Sequence, residues 1–292
     1  MDQVTASSVG FCLKPVSGFD DFAAHVEGLV KSGLEGEGPD LMVFPELVTL
    51  ELIELVDGRS FSEKMAGLLR FTEDYIRLFR ELAVREDLFL AAGSHLSEQH
   101  GRLFNTSYLF RPDGSFTRQP KCHLFPPEKA WTTPGDRISV VHMGDLRIAL
   151  LICYDMEFPE VARRAALEGA EMLVSPSATL DLQGYWRVRH CSQARCIENQ
   201  IYAVHCSLLG EAAGFSFTGC SSVLTPCDNG FPEKGVAVES PLSEEGAVTA
   251  TLDLELLREN RRSGSAPTLK DLRTDMVEGL HRTVCRPEKG KP

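Results

Sequence analysis

A cysteine at the end of a very apolar run is the first group in this chain placed to do chemistry. Arg147-Ile148-Ala149-Leu150-Leu151-Ile152 has the pattern of a buried strand, and Cys153 follows it directly. Tyr154, Asp155 and Met156 then lead to a helix with Pro159 in its first turn. A thiol on a sharp strand-to-helix turn is held outward, and the next backbone N–H, that of Tyr154, can point at an oxyanion developing on a substrate. Taken alone, a cysteine here is more often an inert member of its strand. A nucleophilic thiol also needs a base to take its proton and a cation to hold negative charge. Two other strands end in such groups: Leu41-Met42-Val43-Phe44 is stopped by Pro45 and followed by Glu46, and the strand over 115–120 delivers Lys121. Separately, Glu46 reads more simply as a solvated helix-start carboxylate and Lys121 as a surface charge.

The elements that must position these groups alternate between short apolar runs and longer amphipathic stretches. The pattern predicts strands over 8–13, 41–44, 88–92, 103–110, 115–120, 138–142, 147–152, 172–175, 201–207, 219–225 and 247–253. Arg111-Pro112-Asp113-Gly114 and Met143-Gly144-Asp145 mark hairpin turns. Helices are predicted over 19–32, 62–86, 159–168, 185–199 and 254–261; the first carries Phe22, Val26, Leu29 and Val30 on one face. Strand-helix alternation mixed with hairpins indicates an α/β domain with a mixed sheet or a pair of sheets. No low-complexity linker divides the chain, so residues 1–262 read as one domain and the Arg-, Lys-, Pro- and Gly-rich stretch 263–292 as an exposed C-terminal extension.

Composition narrows the classes of partner. With 30 Lys and Arg against 42 Asp and Glu, the net charge of −12 opposes nucleic-acid binding, and no basic patch overrides it. The first residues, MDQVTASSVG, have neither a basic lead nor an apolar core, and no run approaches a bilayer span, which points to a cytoplasmic protein without membrane association. Nine cysteines, none three residues from another, exclude CxxC zinc or redox motifs. His95 and His100 lack the HExxH carboxylate, Gly36-Glu37-Gly38 lacks a third glycine, and Gly214-Phe215-Ser216 misses GxSxG. No histidine sits in a papain-like context, so neither a metal nor an organic cofactor is expected.

Taken in order and with their flanks, the three groups resemble a known set. Phe44-Pro45-Glu46, Lys121-Cys122-His123-Leu124-Phe125 and Cys153-Tyr154-Asp155-Met156-Glu157-Phe158-Pro159-Glu160 are similar to the signature blocks of the nitrilase superfamily of carbon–nitrogen hydrolases. Gly93-Ser94-His95, Asn105-Thr106, Trp131 with Pro134-Gly135-Asp136, and the run 193–200 add to the likeness, which spans about 8–256. The resemblance implies a four-layer αββα sandwich with two mixed sheets face to face, usually dimerised through helices. The helices over 159–168 and 185–199 are the candidates for a homodimer or higher homo-oligomer face. It also implies Glu46 as general base, Lys121 as transition-state stabiliser, Cys153 as nucleophile, Glu128 as an auxiliary carboxylate and Thr179 as a pocket residue. The reaction implied is attack of the thiol on a small amide, with an oxyanion held by Lys121 and the Tyr154 N–H. A thioester forms, an amine or ammonia leaves and water completes the cycle.

The substrate stays open between amide, nitrile and N-carbamoyl compounds. Nitrile hydrolases of the superfamily commonly carry Trp and Glu after the nucleophile, whereas Tyr154-Asp155 is similar to the amidase-like branches. Gly184-Tyr185-Trp186-Arg187-Val188-Arg189-His190 resembles the nitrilase-type half of bacterial proteins fused to an acetyltransferase, a module not expected within these residues. Acyl transfer to an amine, or a non-catalytic scaffold of the same fold, are the remaining alternatives. Lys121 beside the thiol is expected to lower its pKa.

Overall fold

In the computed structural model, which describes residues 2–36, 38–273 and 275, the chain opens with β1 (Gln3–Leu13), α1 (Phe19–Gly33) and β2 (Leu41–Val43). Then come α2 (Phe61–Gly67), α3 (Thr72–Arg85), β3 (Phe89–Gln99), β4 (Arg102–Phe110) and β5 (Phe116–Pro120). The second half holds β6 (Val140–Met143), β7 (Leu146–Leu150), α4 (Pro159–Leu167), β8 (Met172–Ser177), α5 (Leu182–Asn199), β9 (Tyr202–Ala212) and β10 (Phe215–Phe217). It closes with β11 (Ser222–Leu224), β12 (Val236–Glu239), β13 (Gly246–Asp253) and α6 (Leu254–Ser263).

The strands form two mixed ladders, one ordered β13-β1-β2-β3-β4-β5 and the other β6-β7-β8-β9-β11-β12. They are continuous at one corner, where Phe11–Leu13 of β1 pair in parallel with Leu208–Gly210 of β9 and β10 extends the join. Side-chain alternation separates the layers. In β1 and β2, Val4, Ala6, Leu41 and Val43 face a core shared with Ile148, Leu150, Met172 and Val174 of the other ladder. Their neighbours Val9, Phe11, Met42 and Phe44 face a second core with α1 and α3. On the far side, Ala149, Leu151 and Leu173 pack in a third core against α4 and α5. Three apolar cores between four layers give the αββα arrangement. Central strands buried on both faces explain why the sequence there runs apolar without alternating.

Several boundaries differ from the sequence reading. The helix expected over 62–86 is interrupted: α2 stops at Gly67, residues Leu68–Phe71 form a tight 3₁₀ turn, and α3 restarts at Thr72. Gly67 lies against Val56, whose Cβ would be 3.1 Å from a Cβ at that position, and glycine is a weak helix former. The strand expected over 219–225 contracts to β11, because Ser207 Oγ donates to the Cys220 carbonyl and Ser221 Oγ accepts from Ser207 N–H, taking those groups out of the ladder. Helix α5 starts at Leu182, three residues early, with Asp181 Oδ1 accepting from the Gly184 N–H as its cap. The short strands β10 and β12 carry too few residues for a periodic signal.

Of the expected extension over 263–292, residues 274 and 276–292 lie outside the described residues. Its first part lies along the body: Thr268 Oγ1 donates to the Ile197 carbonyl, and Leu269 packs against the α4–α5 core. Among the described residues, no helix is long and apolar enough to cross a membrane.

Candidate active site

Strand direction brings the chemistry together. β1, β2 and β3 are parallel, β5 returns to their direction through antiparallel β4, and β7, β8 and β9 are parallel to one another. Because β1 and β9 also run parallel, the carboxyl ends of β2, β5, β7 and β8 open on one edge, the usual place for a site in such sheets. Glu46 follows β2, Lys121 follows β5, Cys153 follows β7, and Ala178 and Thr179 follow β8. All five line one cavity of about 480 Å³, together with Glu128 and Tyr154.

Lys121 is the hub of the cluster. Its Nζ donates to Glu46 Oε1 at 2.7 Å and to Glu128 Oε2 at 2.5 Å. Asn105 Nδ2 bridges the same two carboxylates, at 2.8 Å from Glu46 Oε1 and 2.9 Å from Glu128 Oε1. The Ala178 N–H donates to Glu46 Oε2 at 3.0 Å, and the Phe125 N–H to Glu128 Oε2 at 2.9 Å. Glu46, Lys121 and Glu128 are 2 %, 1 % and 6 % exposed, so each charge is held by partners, not by water. An ammonium has three donors, and two are taken by the glutamates. Among the described residues the third has no hydrogen-bond partner.

The backbone is bent to serve the site. Cys153 has φ of 46° and Leu47, next to Glu46, has φ of 54°, left-handed values that cost a side-chain-bearing residue about 1–2 kcal/mol each. The Glu46 loop is held from β3. Gly93, with φ of +69°, leaves room for the Pro45 carbonyl, which would lie 1.9 Å from any Cβ there. Ser94 N–H donates to that carbonyl, and Ser94 Oγ accepts from the Leu47 N–H at 2.9 Å. The Cys153 loop is tied to the Lys121 loop by Asp155. Its Oδ1 accepts from the His123 N–H at 2.7 Å and its Oδ2 from the Ile152 N–H at 3.1 Å. Tyr154 lies in the first turn of the 3₁₀ segment Cys153–Glu157, where N–H groups lack intrahelical acceptors.

The electrostatics differ from the expectation for the thiol. Burial, reinforced by the Glu46 charge, pushes the Cys153 pKa well up, and Lys121 offsets only part of this. The physical reason is that Lys121 is already shared by two carboxylates, so the thiol faces a cluster with a net negative charge. Burial likewise raises the pKa of Glu46, with Lys121 opposing and Glu128 assisting. For Lys121, burial favours the neutral amine, but Glu128 and Glu46 outweigh it and the pKa stands well above its ordinary value. These directions favour the neutral form of the Cys153 thiol and the charged form of Lys121.

Thr179 lines the cavity, its hydroxyl donating to the Thr218 carbonyl at 2.7 Å. Residue type alone gives Asn105 and Asp155 no role of their own; their one sequence signal is their place inside the blocks Asn105-Thr106 and Cys153-Tyr154-Asp155. Among the described residues, no group of three or more acids, histidines or cysteines is arranged to hold a metal.

Comparison with known proteins adds to this geometry. The profile of the carbon–nitrogen hydrolase family matches residues 6–262. A probable hydrolase, YhcX, of Bacillus subtilis is 39 % identical over 271 residues, covering 90 % of this chain and 52 % of that protein; the chain thus spans about half the length of that relative. An (R)-stereoselective amidase of a Pseudomonas species is 32 % identical, over 76 % of each chain. The crystal structure of a carbon–nitrogen hydrolase from Helicobacter pylori superposes with a TM-score of 0.80 at 23 % identity, over 96 % of this chain and 98 % of that one.

Proposed function

The chain belongs to the carbon–nitrogen hydrolase family of the nitrilase superfamily, and on that premise we propose that it hydrolyses a small non-peptide amide through a thioester on Cys153. Glu46 takes the Cys153 proton as sulfur attacks the amide carbon. The free N–H of Lys121 and the Tyr154 N–H receive the oxyanion. Glu46 returns the proton to the nitrogen, the C–N bond breaks, and ammonia or an amine leaves. Water, deprotonated by Glu46, attacks the thioester, and the carboxylic acid departs as the thiol is reformed. Glu128, with Asn105, keeps Lys121 aimed.

The observation that carries this reading is the single Lys121 ammonium held between Glu46 and Glu128 in the cavity that Cys153 lines. A raised Glu46 pKa supports it, since the same carboxyl must both accept and release a proton near neutrality. The test is ammonia release from a panel of amides, ω-amides, N-carbamoyl compounds and nitriles. An amide is expected to turn over at a rate independent of added amine, and Cys153→Ala to lower kcat by ~10⁴-fold or more while leaving the far-UV spectrum unchanged. Turnover of the variant at the parent rate would rule the mechanism out. Faster turnover of a nitrile, or acceleration by amine acceptors, would move the reading to nitrile hydrolysis or acyl transfer.

A further inference from the structure

Beyond the reacting groups, the cavity has a wall chemistry that selects among amides. Phe61, one of the lining residues, is in edge-to-face contact with Trp131 at 6.0 Å and with Phe215 at 5.1 Å between ring centroids. Leu50 and Leu180 add to the apolar lining of the same cavity. Phe215 and Leu180 remain 38 % and 41 % exposed, so the apolar surface continues outward to the mouth. A volume of about 480 Å³ is in the range of sites for ligands much larger than acetamide.

The charges around this wall oppose an anionic substrate tail. Four acids, Glu46, Glu128, Glu157 and Asp181, face two bases, Lys121 and Arg187. Each base already carries a carboxylate partner. Lys121 serves two glutamates, and Arg187 Nε pairs with the Glu157 carboxylate at 2.8 Å. The N-terminus of α5 is the other source of positive potential near the mouth, and the carboxylate of Asp181 caps it.

We propose that the substrate is an amide whose acyl group is uncharged and apolar, of arylalkyl size, seated on the Phe61–Trp131–Phe215 wall. This inference rests on the amidase reading above. An acyl group bearing a free carboxylate meets a negative cavity with its cations already paired, whereas each apolar methylene buried there adds about fourfold to kcat/KM.

The experiment compares kcat/KM for 3-phenylpropanamide, acetamide and succinamate in the parent protein, Phe215→Ala, Phe215→Leu and Glu157→Gln. The expected order is phenylpropanamide first, by about thirtyfold or more over acetamide, and succinamate last. Phe215→Ala should cut that selectivity about tenfold, chiefly through KM, and Phe215→Leu should recover much of it. Glu157→Gln releases Arg187 and should raise the ratio of succinamate to phenylpropanamide activity about tenfold. A parent protein that prefers succinamate or acetamide overturns the inference and leaves the amidase reading standing. Unchanged selectivity in Phe215→Ala overturns the assignment to this wall. Hydrolysis of none of the three, with no acyl adduct on Cys153, overturns the amidase reading and the inference with it.

Discussion

At the scale of single residues, the account turns on how three charges share one buried hub. Burial and then the Glu46 charge push the Cys153 pKa well up, Lys121 offsets part of this, and Glu128 adds a smaller push upward. Removing one carboxylate reverses that balance. Glu128 is among the groups that raise the thiol pKa, after burial and Glu46; with Glu128→Gln, the thiol therefore becomes more acidic. Inactivation by iodoacetamide at fixed pH should accelerate and its pH profile move down, while kcat falls about 10- to 100-fold because Lys121 loses a positioning partner. A profile that stays in place or moves up contradicts the shared-hub picture. Asn105→Ala should leave the thiol profile nearly fixed and still lower kcat, since it removes hydrogen bonds but no charge. The sequence made the reactive types legible here, because Glu46 and Cys153 each follow an apolar run at a strand end and Lys121 ends the second strand of a hairpin. Asn105 was visible only through the resemblance, because by residue type an asparagine in a strand is indistinguishable from surface polarity until the fold places it between two carboxylates.

At the scale of elements, the site is held by loops that are themselves held by neighbours. Gly93 on β3 is the tightest of these supports. In Gly93→Ala a new Cβ meets the Pro45 carbonyl at 1.9 Å in a left-handed conformation, so either the loop carrying Glu46 moves or β3 does. Chemical unfolding should show a loss of about 2–4 kcal/mol, with kcat falling more than KM rises. Stability within a few tenths of a kcal/mol of the parent would mean that the β2–β3 loops are not rigidly coupled. Asp155→Ala should uncouple the Cys153 and Lys121 loops and lower kcat in the same way. Element type was legible wherever burial gave a long periodic signal, as in α1 and the central strands. It failed where a single contact decides the geometry: the Gly67–Val56 approach that splits the expected helix, and the serine side chains that take Cys220 and Ser221 out of β11.

At the scale of the whole molecule, two buried histidines tie stability to pH on the acid side. His95 lies between Thr49 Oγ1 and Thr72 Oγ1, at 2.8 and 2.9 Å, and burial pushes its pKa down to about 3; burial, aided by Arg189, does the same to His205. Between an unfolded value of 6.5 and about 3 the unfolded chain binds protons that the native one refuses. Stability therefore falls as pH drops through that window, by about 2 kcal/mol per histidine at pH 5. The urea midpoint should decline from pH 7 to 5, and less so in His205→Gln; an equal decline in both would locate the effect elsewhere. Leu167 on α4 and Leu182, Trp186 and Ile197 on α5 are 59, 43, 45 and 39 % exposed, apolar surface suited to a second copy of the chain. Sedimentation at micromolar concentration should give about twice 32.2 kDa, and a species at the chain mass would set that dimer aside. The four layers themselves were legible only through resemblance, because period and composition alone do not distinguish one folded-over ladder from two.

The most direct measurement of the central claim is intact-protein mass spectrometry of the enzyme quenched in acid during steady-state turnover of an amide it hydrolyses, with peptide mapping. The account predicts a population heavier by the acyl group less one hydrogen, mapped to Cys153, appearing within a turnover and absent from Cys153→Ala. Full turnover with Cys153 unmodified at every quench time, or the acyl group on another residue, would contradict it.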